Sequence, residues 1–113
     1  MKVIIAGSRE GFSLEGVYKA WDQSGLGMSE VVSGTARGVD RLGEEFATKE
    51  GIKITRFPAN WDSFGKSAGY RRNAEMATYA DALIALWDGH SRGTKHMIDL
   101  ATKEGLVVFI YRK

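Results

Sequence analysis

The chain has 113 residues, no cysteine, two histidines and a formal net charge of +2, with a pI near 9.0. That length fits one ordinary domain over residues 1–113, able to bury a core without disulfide or metal staples. The absence of cysteine excludes thiol nucleophiles, cysteine-bound zinc and iron–sulfur ligation; His90 and His96 stand in no metal-ligating pattern, so neither a tightly held metal nor a cofactor is expected.

The opening MKVIIAG predicts a strand over residues 2–6. Its apolar run is too short for a signal h-region or a membrane span, so a soluble cytoplasmic protein without membrane contact is expected. Ser13 is a candidate N-cap for a helix whose apolar face is Leu14, Val17, Tyr18 and Trp21, stopped by Gly25. EVVS at 30–33 reads as a second strand. SGTARGVD then leads into a helix carrying Val39, Leu42, Phe46 and Ala47 and stopped by Gly51.

KITRF at 53–57 is the third strand, ended by Pro58. PANWDSFGKSAG follows as the longest irregular stretch, of the length that in small domains usually carries function or moves. A helix over 68–80 leads to a fourth strand, DALIALW at 81–87, and then to the loop WDGHSRGT. Thr94, Met97, Ile98 and Ala101 mark the last helix, stopped by Gly105, and LVVFIY at 106–111 is the fifth strand.

Strands alternating with helices, several of them nearly continuous apolar runs, predict an α/β fold: a Rossmann-like three-layer sandwich with a five-stranded, mostly parallel sheet. Right-handed crossovers would bring every strand-to-helix loop to one edge of that sheet. Five of the eight arginines, Arg9, Arg37, Arg71, Arg72 and Arg92, fall in those loops or at the helix starts beside them. Glycines that let backbone N–H groups approach a ligand, helix N-termini worth about half a positive charge each and guanidinium forks together suit a phosphate. A nucleotide-like small molecule is the expected partner.

Gly7, Ser8, Ser33, Gly34, Thr35, Gly93 and Thr94 are the candidates for backbone or hydroxyl contacts. Arg37, Arg72 and Arg92 are the expected anion clamps, with Arg9 as helper. Adjacent helical residues diverge by about 100°, so one of Arg71 and Arg72 faces away. Asp40, Asp88 and Asn60 are candidates for ribose hydroxyls, although Asp40 also suits the N-terminus of the second helix. Asn73 is expected to order the long loop, and Trp61 either stacks on a base or folds over the core. Alanine at Arg37 or Arg72 is expected to weaken the ligand while leaving folding nearly unchanged.

Familiar phosphate motifs do not explain the pattern. GSREGF stands where GxGxxG would follow the first strand, and Asn60 occupies the first glycine position of a P-loop ending in GKS at 65–67. GxSxG is absent as well.

SGTARGVDRLGEEFA resembles the SGGARGxDxxAexwA signature of the SLOG superfamily, in particular its YspA/cpYpsA-related branch. PANWDSFGKSAGYRRNAEMA is similar to that branch's PAdWxxxGxxAGxxRNxxM, DGHSRGTKHMIDLA to its closing G(T)xxMvxxA element, and MKVIIAGSRE to its usual opening. The resemblance implies a Rossmann-like fold whose strand-end loops bind nucleotides or nucleotide-derived, ADP-ribose-like ligands as a sensor or sequestering protein, and it favours Arg72 as the inward arginine. It allows a homodimer, with Tyr18 and Trp21 open to either core or interface.

The superfamily also contains phosphoribohydrolases that cleave cytokinin nucleotides and a Smf/DprA branch that binds single-stranded DNA. RRNAEM aligns Arg72 with the hydrolases' catalytic arginine. The glutamate expected two or three residues past GT is replaced by His96 or Met97, although cleavage of an N-glycosidic bond needs a carboxylate. Hydrolysis, with Arg72 as catalytic residue assisted by Asp88, His96 or Asp99, is therefore the alternative to plain binding. Single-stranded DNA on the basic rim, stacked on Trp61 or Tyr70, is a second alternative.

Overall fold

A computed structural model of the chain describes residues 1–112. Strands β1 (Lys2–Gly7), β2 (Glu30–Ser33), β3 (Lys53–Arg56), β4 (Ala82–Trp87) and β5 (Val107–Arg112) alternate with helices α1 (Leu14–Ser24), α2 (Val39–Glu50), α3 (Trp61–Phe64), α4 (Ala68–Tyr79) and α5 (Arg92–Lys103). The strands form one sheet in the order β3-β2-β1-β4-β5, and every neighbouring pair is parallel. The sheet is thus parallel throughout rather than mostly so.

Side chains alternate across the sheet, and each face buries its own set. Val3 and Ile5 of β1, with Ala82, Ile84 and Leu86 of β4, pack under α1 and α2 around Phe46. Ile4 and Ala6, with Leu83 and Ala85, pack under α4 and α5 around Met76 and Met97. Because β1 and β4 are covered on both faces, they tolerate almost no polar residue, which is why both read as unbroken apolar runs. Each such Ile or Leu contributes about 1.5–3 kcal/mol by burial. Tyr18 and Trp21 complete the α1–α2 side, their rings standing edge-on to Phe46 at 5.0 and 5.1 Å.

Helix ends follow local chemistry. The Ser13 hydroxyl accepts from the Gly16 N–H at 3.4 Å, while Gly25 and Gly51 close α1 and α2 in the left-handed region, at φ 66° and 67°. The stretch expected to be irregular after Pro58 is instead a short helix followed by a 3-10 turn over Gly65–Ser67. The reason is local: the Asn60 side chain caps α3 by accepting from the Ser63 N–H at 3.1 Å, and Gly65, at φ 53°, ends it.

The chain runs outward from β1 through β2 to β3, then returns to lay β4 against the other side of β1. Loops leaving β1 and β4 therefore diverge, opening a crevice above their C-terminal ends. Among the described residues, no helix is long and apolar enough to cross a membrane.

Candidate functional site

Three backbone features fix the rim of this crevice. Gly7 ends β1 so close to β4 that a Cβ would lie 2.1 Å from the Leu86 carbonyl oxygen. The Ser8 N–H then donates to that same carbonyl at 3.0 Å, its hydroxyl accepts from the Asp88 N–H at 3.1 Å, and its carbonyl accepts from the Val39 N–H at 3.2 Å. Gly38, at φ 79°, starts α2 where a Cβ would meet the Arg9 backbone at 2.5 Å. Ser8 is thus a buried staple that holds three loops together.

Above β1 lies a hollow of about 300 Å³ lined by Gly7, Arg9, Arg37, Asp40, Arg72, Asn73, Gly93 and Thr94, with Ala6, Ala36, Met76, Ser91 and Met97. A second hollow of about 490 Å³ adjoins it toward α3. Gly34, Thr35, Arg41, Pro58, Ala59 and Trp61 line that one, and Arg9, Ala36, Arg37 and Arg72 belong to both. Three arginines therefore border both spaces. Among the described residues, neither Arg9 nor Arg37 makes an ion pair, and both are exposed.

Arg72 is held differently. Its Nη1 donates to the Gly34 carbonyl and its Nε to Asn73 Oδ1 at 3.0 Å. Burial lowers its pKa, partly offset by the Asp40 charge. Arg71 turns outward, its guanidinium 4.3 Å over the Phe64 ring. Gly34 makes room for this arrangement, since a Cβ there would lie 2.7 Å from Asp40 Oδ2 and 2.8 Å from Arg72 Nη1. The next residue, Thr35, carries a left-handed φ of 62° and is pinned by its N–H to Ser33 Oγ at 3.1 Å. A non-glycine residue there stores local strain.

Asp40 sits in the first turn of α2, only 6% exposed. Its Oδ2 accepts from the Ala36 N–H at 3.2 Å. Burial pushes its pKa up to about 6, against the opposing pull of the Ala36 N–H and the Arg72 charge. Among the described residues it is the one carboxylate lining either hollow.

The N-terminus of α5 closes the far side. Asp88 Oδ1 accepts from the His90 and Ser91 N–H groups at 2.7 and 2.8 Å, bonds that hold its pKa down, and Ser91 Oγ caps the helix at the Thr94 N–H. Nothing lies within 4 Å of the place a Cβ would take at Gly93, so the first turn of α5 is open to the hollow. Asn73 ties α4 to α5, its Nδ2 lying 3.2 Å from His96 Nδ1 and 3.5 Å from the Gly93 carbonyl. It does not order the long loop. His96 packs against the Tyr70 ring with the centroids 4.4 Å apart and the planes tilted by 57°, and burial lowers its pKa.

Five of the expected contact residues lie outside both hollows. Ser8 serves as the staple, and Asp88 is occupied by the His90 and Ser91 N–H groups ahead of α5. Ser33 donates to Glu44 Oε2 at 2.7 Å, Asn60 caps α3, and Arg92 points to solvent from the first turn of α5. Of the side chains offered to assist hydrolysis, Asp99 pairs with Lys95 at 2.8 Å on the exposed face of α5, and His96 stands behind Asn73. Trp61 does not fold over the core; it is 56% exposed along the second hollow. Ser91 and Arg41 line the hollows although they are not among the expected contacts. The first has a signal, a serine three residues before Thr94 at a helix start, and the second lies in the first turn of α2, four residues past Arg37.

Comparison with known proteins agrees with the fold. Residues 1–64 match the family model described as the YspA, cpYpsA-related SLOG family. The Gene 61 protein of Mycobacterium phage D29 is 39% identical over 69% of this chain and 67% of its own length. The X-ray structure of DNA processing protein A (DprA) from Streptococcus pneumoniae matches over 96% of this chain with a TM-score of 0.73 at 22% identity, and the chain spans 49% of it.

Proposed function

The chain belongs to the YspA, cpYpsA-related SLOG family, and from that premise we propose that it binds a nucleotide or nucleotide-derived ligand at the C-terminal edge of its sheet, as a sensor or sequestering protein. The observation that carries this reading is the meeting of Arg9, Arg37 and Arg72 around one crevice that also receives the open first turn of α5. An anionic group there meets unpaired guanidinium forks and free backbone N–H groups together. Charge-assisted hydrogen bonds contribute about 1.5–3 kcal/mol each, so three of them supply about 4.5–9 kcal/mol toward holding a phosphate-bearing ligand, before the cost of association.

Calorimetric titration with ADP tests the proposal. Saturable one-to-one binding that weakens in Arg37→Ala supports it; heats that are absent, or unchanged by that substitution, overturn it.

Hydrolysis of an N-glycosidic bond is the second reading, and one observation favours it: the Asp40 carboxylate lies in the same hollow as Arg72 with its pKa near neutrality. Incubation with AMP separates the two readings, since recovery of intact AMP supports binding alone and release of adenine supports hydrolysis. The likeness in fold to a DNA processing protein, together with exposed Trp61, Phe64 and Tyr70 near Arg71, supports a third reading, a single DNA strand stacked on those rings. Strand binding that collapses between low and moderate salt would favour it.

A further inference from the structure

The pose of Arg72 is set by two acceptors. Its Nη1 donates to the Gly34 carbonyl and its Nε to Asn73 Oδ1 at 3.0 Å, which orients the guanidinium plane and leaves Nη2 without a hydrogen-bond partner among the described residues. Asn73 can accept only through its oxygen, so the amide turns Oδ1 toward Arg72. Its Nδ2 then faces the Gly93 carbonyl at 3.5 Å and His96 Nδ1 at 3.2 Å. Arg72 Nε can only donate and the Gly93 carbonyl can only accept, so these two neighbours fix the amide whatever the imidazole does. His96 Nδ1 must therefore present a lone pair, which makes the ring neutral with its proton on Nε2.

A second proton on His96 would sit on Nδ1 and confront the Asn73 N–H. Turning the amide over relieves that contact and creates two others, Nδ2 against Arg72 Nε and Oδ1 against the Gly93 carbonyl. Asn73 is buried, so either mismatch is costly. Resting on the nucleotide reading above, we propose that Asn73 and His96 are positioning residues: neutral His96 holds the Asn73 amide in the orientation that presents Arg72 to the ligand's phosphate, and protonated His96 withdraws that support. The ligand is then held near neutral pH and released on acidification. The surroundings of the ring agree. From α4, Tyr70 packs against it and Arg72 stands behind Asn73. On α5, Asp99 favours the proton but is paired with Lys95, and Arg92, one turn earlier, carries the opposing charge. The strands beneath α5 bring apolar side chains, Ala6, Leu83, Ala85 and Val108 among them. Burial adds to the preference for the neutral ring.

NMR of the imidazole nitrogens in the wild-type chain reads the first step directly, with His96→Asn separating the His96 signals from those of His90. The Nε2–H form is expected at neutral pH, and the Nδ1–H form overturns the proposal. Calorimetric titration with ADP of the wild type and of His96→Asn, whose amide oxygen replaces Nδ1 as an acceptor and takes no proton, reads the second step. The phosphates of ADP and the Asp40 carboxyl titrate alike in both proteins, so the ratio of the two affinities isolates His96. The affinities should agree within about twofold at about pH 7.5, and the wild type should fall behind by roughly fivefold at about pH 5. A ratio that stays level with pH overturns the positioning role while ADP binding preserves the nucleotide reading. Failure of ADP to bind either protein at any pH defeats both.

Discussion

Replacing Asp40 by asparagine isolates what it costs to hold a carboxylate under the cleft. Asn keeps an oxygen for the Ala36 N–H and has no proton to lose. In the folded chain the Asp40 pKa stands at about 6 against an ordinary 3.8, because burial disfavours the charged form more than Ala36 and Arg72 favour it. An acid whose folded pKa is raised holds its proton more firmly in the native state. Its contribution to stability is complete below the unfolded value, is lost as pH rises from 3.8 to about 6, and is constant above that. At about 1.36 kcal/mol per pH unit, the full loss is roughly 3 kcal/mol. Urea denaturation of both proteins at intervals from about pH 4.5 to about pH 8 should therefore show the variant gaining about 2 kcal/mol on the wild type, almost all of it below pH 7. A stability difference that stays flat with pH would refute the reasoning, since Asp40 would then ionise alike in the folded and unfolded chains.

Other substitutions separate ligand contacts from structural ones. Arg37→Ala should cost about 1.5–3 kcal/mol of ADP affinity and shift the urea midpoint negligibly, because Arg37 is exposed and unpaired. Arg72→Ala should lose affinity and also about 1–3 kcal/mol of stability, since the Gly34 carbonyl and the Asp40 charge lose their partner; an unchanged melting curve would show that these contacts carry no weight. Gly34→Ala should destabilise by more than about 1 kcal/mol through contact with Asp40 and Arg72, measured by the same denaturation.

Much of the fold was legible because each element announced itself locally. Apolar runs such as VIIA and LIALW could be satisfied only in a sheet covered on both faces, and glycines at 25, 51 and 105 stopped the helices before them. The arginine-bearing loops were likewise visible as a set, since strand-to-helix connections of a parallel sheet share an edge.

What the sequence left open was competition for the same groups. Ser33, Asn60 and Asp88 have the chemistry of ligand contacts, but Glu44 and nearby N–H groups take them first. The raised pKa of Asp40 depends on burial that the local sequence does not display, and the Arg72 charge that opposes it belongs to a residue distant in sequence. Arg92 starts the helix that closes the crevice, yet it is exposed and lines neither hollow.

The most direct measurement is a crystal structure of the chain with ADP bound. Phosphates lying between Arg9, Arg37 and Arg72, within hydrogen-bond reach of at least two of them, are the predicted result. Phosphates seated elsewhere, for example in the separate hollow beside Phe12, Lys19 and Arg112, would contradict it.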